Sequence, residues 1–164
     1  MNNKNLSSTN LSFDFLRSSK DFLNIILNNL SCAVLLLNKD MELHAFNDPL
    51  KNMFINKPNE HLLYKRCGEA IGCAFAIEEM KRCGETKHCR NCELRTKALE
   101  AYIKKQPVYR KKISREFYKT DSKRDLKHLQ FSVLPFHFDK EYYIVVLVED
   151  ITEVINLKEI LHQN

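Results

Sequence analysis

Apolar residues recur near the start of the chain at Phe15, Leu16, Phe22, Leu23, Ile26, Leu27 and Leu30, close to helical spacing and uninterrupted by glycine or proline. An amphipathic helix is therefore expected over 11–30. The apolar run 32–37, a turn at Asn38, Lys39 and Asp40, and the partly alternating stretch 41–46 predict a β-hairpin. A helix should start at Asn47-Asp48-Pro49, because proline suits a first helical turn. Between 58 and 92 the period is lost, apart from a short helix around 74–81. Leu94, Ala98, Leu99, Tyr102 and Ile103 form one face of a helix over 92–106, which Pro107 must end. Three strands follow over 108–118, 126–136 and 142–149, with turns at 120–122 and at Asp139-Lys140. Leu129, Phe131 and Val133 alternate with polar neighbours, so one sheet face should be wet or partner-facing. Asp150 or Thr152 then caps a helix over 151–164, whose stripe of Val154, Leu157 and Leu161 suits either a dimer interface or packing against the leading helix.

With 164 residues the chain fits one domain. A domain of that size buries roughly 68–70% of its unfolded surface without needing a metal, so a metal here would be functional. The longest apolar runs, 32–37 and 142–148, are far shorter than the ~20 residues a bilayer requires. Residues 1–10 are polar, lack the apolar core of a signal peptide and are expected to be disordered. A cytoplasmic location is the expectation.

Cysteine usage changes the picture most. Five of the six cysteines, Cys67, Cys73, Cys83, Cys89 and Cys92, and all three glycines, Gly68, Gly72 and Gly84, fall between 67 and 92. Thiolates converge on a metal only where the backbone turns sharply, and glycine supplies such turns without steric cost. In a reducing compartment this crowding favours metal chemistry over disulfides. Every glycine is beside a cysteine, which leaves none for a phosphate loop or a dinucleotide-binding turn. With no readable nucleophile and base set or pair of carboxylates either, no enzymatic activity is expected.

The net charge of +5 is uneven: 97–127 carries 11 Lys and Arg against Glu100, Glu116, Asp121 and Asp125. Tyr109, Phe117 and Tyr118 interleave with these cations in a way that could contact phosphates and bases. Without a helix-turn-helix or RNA-binding signature, a solvated sheet edge is the better reading, and nucleic acid is not an expected partner.

The stretches LSCAVLLLNKDMELHAFND and YYIVVLVEDITE, in this order of elements, resemble the first hairpin and last strand of a PAS domain, over roughly 23–153. The loop RCGEAIGCAFAIEEMKRCGETKHCRNC resembles a subgroup of bacterial PAS domains with a glycine-cysteine pair, a later cysteine-glycine pair and a terminal C-x2-C. The resemblance implies an α+β fold: a five-stranded antiparallel sheet with helices on one face, forming a sensor domain over 31–150 between signalling helices at 11–30 and 151–164. It also implies Cys73, Cys83, Cys89 and Cys92 as ligands, spaced C-x9-C-x5-C-x2-C, with Cys67 a spare or substitute. A homodimer through the terminal helices and a histidine kinase or transcription-regulator partner are the implied outputs.

Four thiolates suit tetrahedral Zn²⁺ or an iron-sulfur cluster. Structural zinc sites favour two short knuckles, whereas this loop has only Cys89-Arg90-Asn91-Cys92. The longer gaps favour iron-sulfur, with zinc in a protein- or nucleic-acid-binding module as the alternative and metal-free redox thiols as a third reading. Cys92 at a helix start, and the cations Lys81, Arg82, Lys87, Arg90 and Arg95, would stabilise an anionic group. His88 is expected to be solvated. Covalent haem would need C-x-x-C-H, but Glu93 follows Cys92. His44, His61 and His128 suit surface or pocket-edge positions better than haem ligation, and Cys32 is expected to be a small core residue.

Overall fold

The computed structural model of the chain describes residues 16, 18–54, 62–119 and 123–163. The expected disordered stretch 1–10, the start of the first helix and the turn 120–122 lie outside them. Five strands form one antiparallel sheet: β1 (Ala33–Leu37), β2 (Leu43–Phe46), β3 (Val108–Tyr118), β4 (Arg124–Phe138) and β5 (Glu141–Asp150), in the order β2-β1-β5-β4-β3. Period-two alternation decides which side of the sheet is dry. Leu35 and Leu37 on β1, Leu129, Phe131 and Val133 on β4, and Ile144, Val146 and Val148 on β5 are buried on one face. Register keeps them level, with Leu35 opposite Val146 and Phe131 opposite Val148.

The helices among the described residues are α1 (Lys20–Asn28), α2 (Asp48–Phe54), α3 (Cys67–Ala70), α4 (Ala74–Glu78), α5 (Glu93–Lys104) and α6 (Thr152–Gln163), with a 3₁₀ turn at Cys89–Asn91, and buried residues of α2, α3, α4 and α5 cover that face. The long helix α5 packs on β3, β4 and β5 through Leu94, Ala98 and Ala101. Small residues at two of those three positions let the helix axis approach the sheet closely. Among the described residues no helix is long and apolar enough to cross a membrane.

Several element ends differ from the sequence expectation for local backbone reasons. The first helix opens at Lys20, where the Ser19 side chain accepts from the Phe22 N–H at 3.2 Å. β2 starts after Met41, whose φ of 61° belongs to a turn tied by the Asn38 side chain to the N–H groups of Asp40 and Glu42. α4 stops at Glu78 because Met80 has a φ of 49°, and α5 ends at the left-handed Lys105. Left-handed caps of this kind usually carry glycine or asparagine, so the first stop has no local sequence signal, and the second comes two residues before the end that Pro107 requires.

Asp150 fastens the closing helix. Its carboxylate accepts from the Thr152 N–H at 3.0 Å and from the Lys127 ammonium at 2.7 Å. Although burial pushes its carboxyl up, these bonds hold it below the ordinary value. β4 adds two more ties, His128 N–H to Thr152 Oγ1 at 2.9 Å and Ile151 N–H to the His128 carbonyl at 2.8 Å.

Candidate functional site

The cysteine segment folds as a chain of very short helices stitched to its surroundings. Arg66, just before α3, donates to the Cys83 carbonyl at 2.9 Å and pairs with Glu85 at 3.2 Å. Glu69, within α3, accepts from the Cys83 N–H at 3.1 Å. The other end is sewn to the sheet, with the Tyr118 N–H donating to the Gly72 carbonyl at 2.8 Å beside an antiparallel bridge between Cys73 and Phe117.

Two glycines are required by this path. A Cβ on Gly68 would stand 2.8 Å from Cys83 Sγ, so only a residue without a side chain lets α3 lie against that thiol. Gly84 has a φ of +102°, and a Cβ there would meet the Arg95 guanidinium at 2.6 Å. The sequence pairing of glycine with cysteine thus has two physical causes, close approach at Gly68 and left-handed backbone at Gly84.

All of Cys67, Cys73, Cys83, Cys89 and Cys92 line one cavity of about 50 Å³, floored by Leu37, Leu129 and Val146 of the sheet. Pockets that take organic cofactors run about 300–1,000 Å³. The space lies well below that range. Among the described residues, no three His, Cys, Asp or Glu side chains are gathered closely enough to hold one metal ion. The five cysteines stand around the wall of this one space.

The thiols differ in their surroundings. Burial, with neighbouring Cys83, Cys92 and Cys73, pushes the Cys67 thiol well above the ordinary range. Burial lifts Cys83 to about 11 against an opposing hydrogen bond from the Gly68 backbone. Cys73 is likewise raised by burial, although the Ala76 and Phe75 backbone groups and the Arg115 charge pull the other way. Cys89 differs: burial pushes it up, but hydrogen bonds from Thr86 Oγ1 and from the Gly84 N–H, both at 3.0 Å, bring it below the ordinary value. Iodoacetamide should therefore modify Cys89 of the metal-free protein at least about tenfold faster than Cys67 near neutral pH, because the thiolate is the nucleophile. Peptide mass spectrometry reads this directly, and equal rates would contradict the assigned surroundings.

Some sequence expectations need correction. Of the five cations proposed around the loop, only Arg95 lines the cavity; Lys81 pairs with Glu79, and Arg82 with Glu42 and Glu69. A second cavity cation, Arg115, comes from β3 and was missed, since no local spacing links it to the cysteines. His88 is not simply solvated. Its ring stacks on Phe75 at 3.7 Å between centroids, while the Arg115 guanidinium lies 5.0 Å from that same ring. Cys92 caps α5 by its backbone, its carbonyl accepting from the Thr96 N–H at 2.9 Å, and its side chain makes no capping bond. Cys32 is outside the core cluster and lines a separate cavity with Gln130, Ser132 and Glu149. His44 packs against Tyr64 and Tyr143, and His128 Nδ1 lies 2.7 Å from Ser114 Oγ, so neither reaches the cysteine cavity. His61 lies outside the described residues.

No family model and no curated protein matches the sequence. Solved structures do. A PAS domain from a two-component sensor histidine kinase matches with a TM-score of 0.53 at 12% identity, over 79% of this chain and 94% of that one. The PAS domain of nitrogen regulation protein NR(II) from Vibrio parahaemolyticus gives 0.53 at 14% identity, over 78% of this chain and 96% of the other. The PAS domain of BvgS from Bordetella pertussis gives 0.53 at 17% identity, over 87% and 93%. Identities this low speak only to architecture, and on that level the chain has the PAS fold.

Proposed function

We propose that this chain is a non-enzymatic sensor domain that holds an iron-sulfur cluster on Cys73, Cys83, Cys89 and Cys92 and relays redox or oxygen state to a histidine kinase or transcription regulator. The observation that carries this reading is the convergence of all five loop cysteines on one small cavity between sheet and helices. A multi-iron group offers each thiolate its own metal atom, which suits cysteines placed around the wall of one space. Such a group, when bound, supplies one-electron chemistry and sensitivity to oxygen.

The protein's own residues do the rest. Backbone N–H groups and the Thr86 hydroxyl aimed at Cys73, Cys83 and Cys89, with Arg95 and Arg115 at the cavity wall, favour anionic sulfur there. Cys92 sits where the loop passes into α5, and α5 packs across three strands. Release of the sulfurs would free the start of that helix, a shift between two packings that only one state's bonds oppose. Protein purified without air should absorb at roughly 400 nm and carry matching iron and sulfide. A colourless protein lacking both sinks the proposal.

Dimerisation belongs to the same reading. Neither α1 nor α6 buries a residue, and Leu23, Ile25 and Ile26 on α1 with Val154, Leu157 and Leu161 on α6 are exposed. Apolar stripes of this kind mark partner surfaces. Sedimentation should find a dimer, and the double change Leu157→Asp and Leu161→Asp should return monomer with an unchanged circular dichroism spectrum. A monomeric parent protein would remove the dimer from the scheme.

A further inference from the structure

We propose that the open edge of β3 binds an acidic, extended segment of a partner protein by strand addition, beside the cysteine loop. β3 is the outermost strand of its side of the sheet. Its last residues are covered by the Tyr118 to Gly72 bond and the Cys73 bridge to Phe117. Its first residues are irregular, with a register shift between Val108 and Lys111, a φ of 51° at Arg110, and the Arg110 N–H turned onto Ser132 Oγ at 3.0 Å. Between these two ends no described residue pairs with the outer side of the strand. Because the Tyr118 N–H points outward, strand alternation directs the N–H and C=O of Ser114 and Lys112 outward as well. These groups form a ready template for another chain.

A shallow cavity of about 410 Å³ straddles that edge, lined by Phe75, His88 and Asn91 from the loop side and by Ser114, Arg115, Glu116 and Leu126 from the sheet. An added strand would lay alternate side chains over the Phe75 and His88 stack and Arg115 on one face, and beside Lys112, Ser114 and Leu126 on the other. Charge selects the occupant. Among the described residues Arg110, Lys111 and Lys112 pair with no carboxylate, while the nearby Glu116 is already engaged by Arg124, as is Glu78. Acidic side chains would meet this uncompensated positive charge. A second copy of this chain would set the same cations against each other. A nucleic acid lacks the alternating donor and acceptor ladder, and the Phe75 ring that could stack on a base already stacks on His88.

This docking does not depend on what the cysteines hold. One wall of the groove nevertheless belongs to the cysteine loop, so occupancy and loop conformation would be linked.

The test uses the full chain and three fluorescein-labelled probes: a blocked heptapeptide alternating Asp or Glu with Val or Ile, its counterpart with Lys replacing the acids, and a single-stranded oligothymidylate. The acidic peptide should bind saturably by anisotropy and weaken as salt rises. Hydrogen exchange at the Lys112 and Ser114 amides should slow on binding. Lys112→Glu should weaken binding about tenfold or more, and so should Ser114→Pro, which deletes an outward N–H that β4 does not use. Lys140→Glu, in the turn between β4 and β5, should leave it unchanged. Should Ser114→Pro fail to fold, Lys112→Glu and the exchange data decide. Absence of saturable binding, equal or tighter binding of the lysine peptide or the oligonucleotide, or full affinity in Lys112→Glu overturns the proposal.

Discussion

Replacing Asn47 by alanine should destabilise the protein by about 3 kcal/mol, because it leaves three partly buried backbone groups without their partner. Asn47 is 3% exposed, one of the few polar residues inside. Its Oδ1 accepts from the Val34 N–H at 2.8 Å, and its Nδ2 donates to the Leu27 carbonyl at 2.7 Å and the Cys32 carbonyl at 3.1 Å. One side chain thereby joins the end of α1, the entry to β1 and the start of α2. For a domain of this size the loss should lower Tm by about 6–12 °C. Asn47→Asp keeps the bond to Val34 but sets carboxylate oxygen against two carbonyls, so it should rescue nothing. A calorimetric shift below about 2 °C in the alanine variant would show that water replaces these bonds at little cost.

The second large effect concerns the cavity. On the iron-sulfur reading, alanine at Cys73, Cys83, Cys89 or Cys92 should each lower bound iron in the anaerobically purified protein at least about tenfold, while Cys67→Ala should retain it. Cys67 is the most enclosed of the five and no hydrogen-bond donor opposes its burial, whereas Cys73, Cys83 and Cys89 each have donors directed at sulfur. Retention of iron in any of the four ligand variants, paired with loss in Cys67→Ala, would move the ligand role to Cys67. If all five variants keep full iron, the cavity is not where iron binds.

The sheet was legible in the sequence because its strands are half-buried and alternate cleanly, as Leu129, Phe131 and Val133 do. The convergence of the cysteines was legible too, since Gly68 and Gly84 mark a close approach and a left-handed turn that thiols alone would not reveal. Arg115 was hidden because its place in the cavity comes from β3 crossing under α4, a contact between residues far apart in sequence. The stack of Phe75 on His88 was hidden for the same reason. The sequence marks Asn47 as part of a helix start, which its backbone fulfils by accepting from the Leu50 N–H, but its side chain reaches across to the end of α1 and the entry to β1. Local pattern reports what a residue does for its own segment and says little about what it does for another.

The ties from His128 to Ile151 and Thr152 carry one last implication. α6 follows β5 in the chain, yet its opening turn is moored to the strand next door. His128 also touches Ser114 of the outermost strand through its ring. A movement of β4 would therefore reach the closing helix directly through His128, as well as by way of β5.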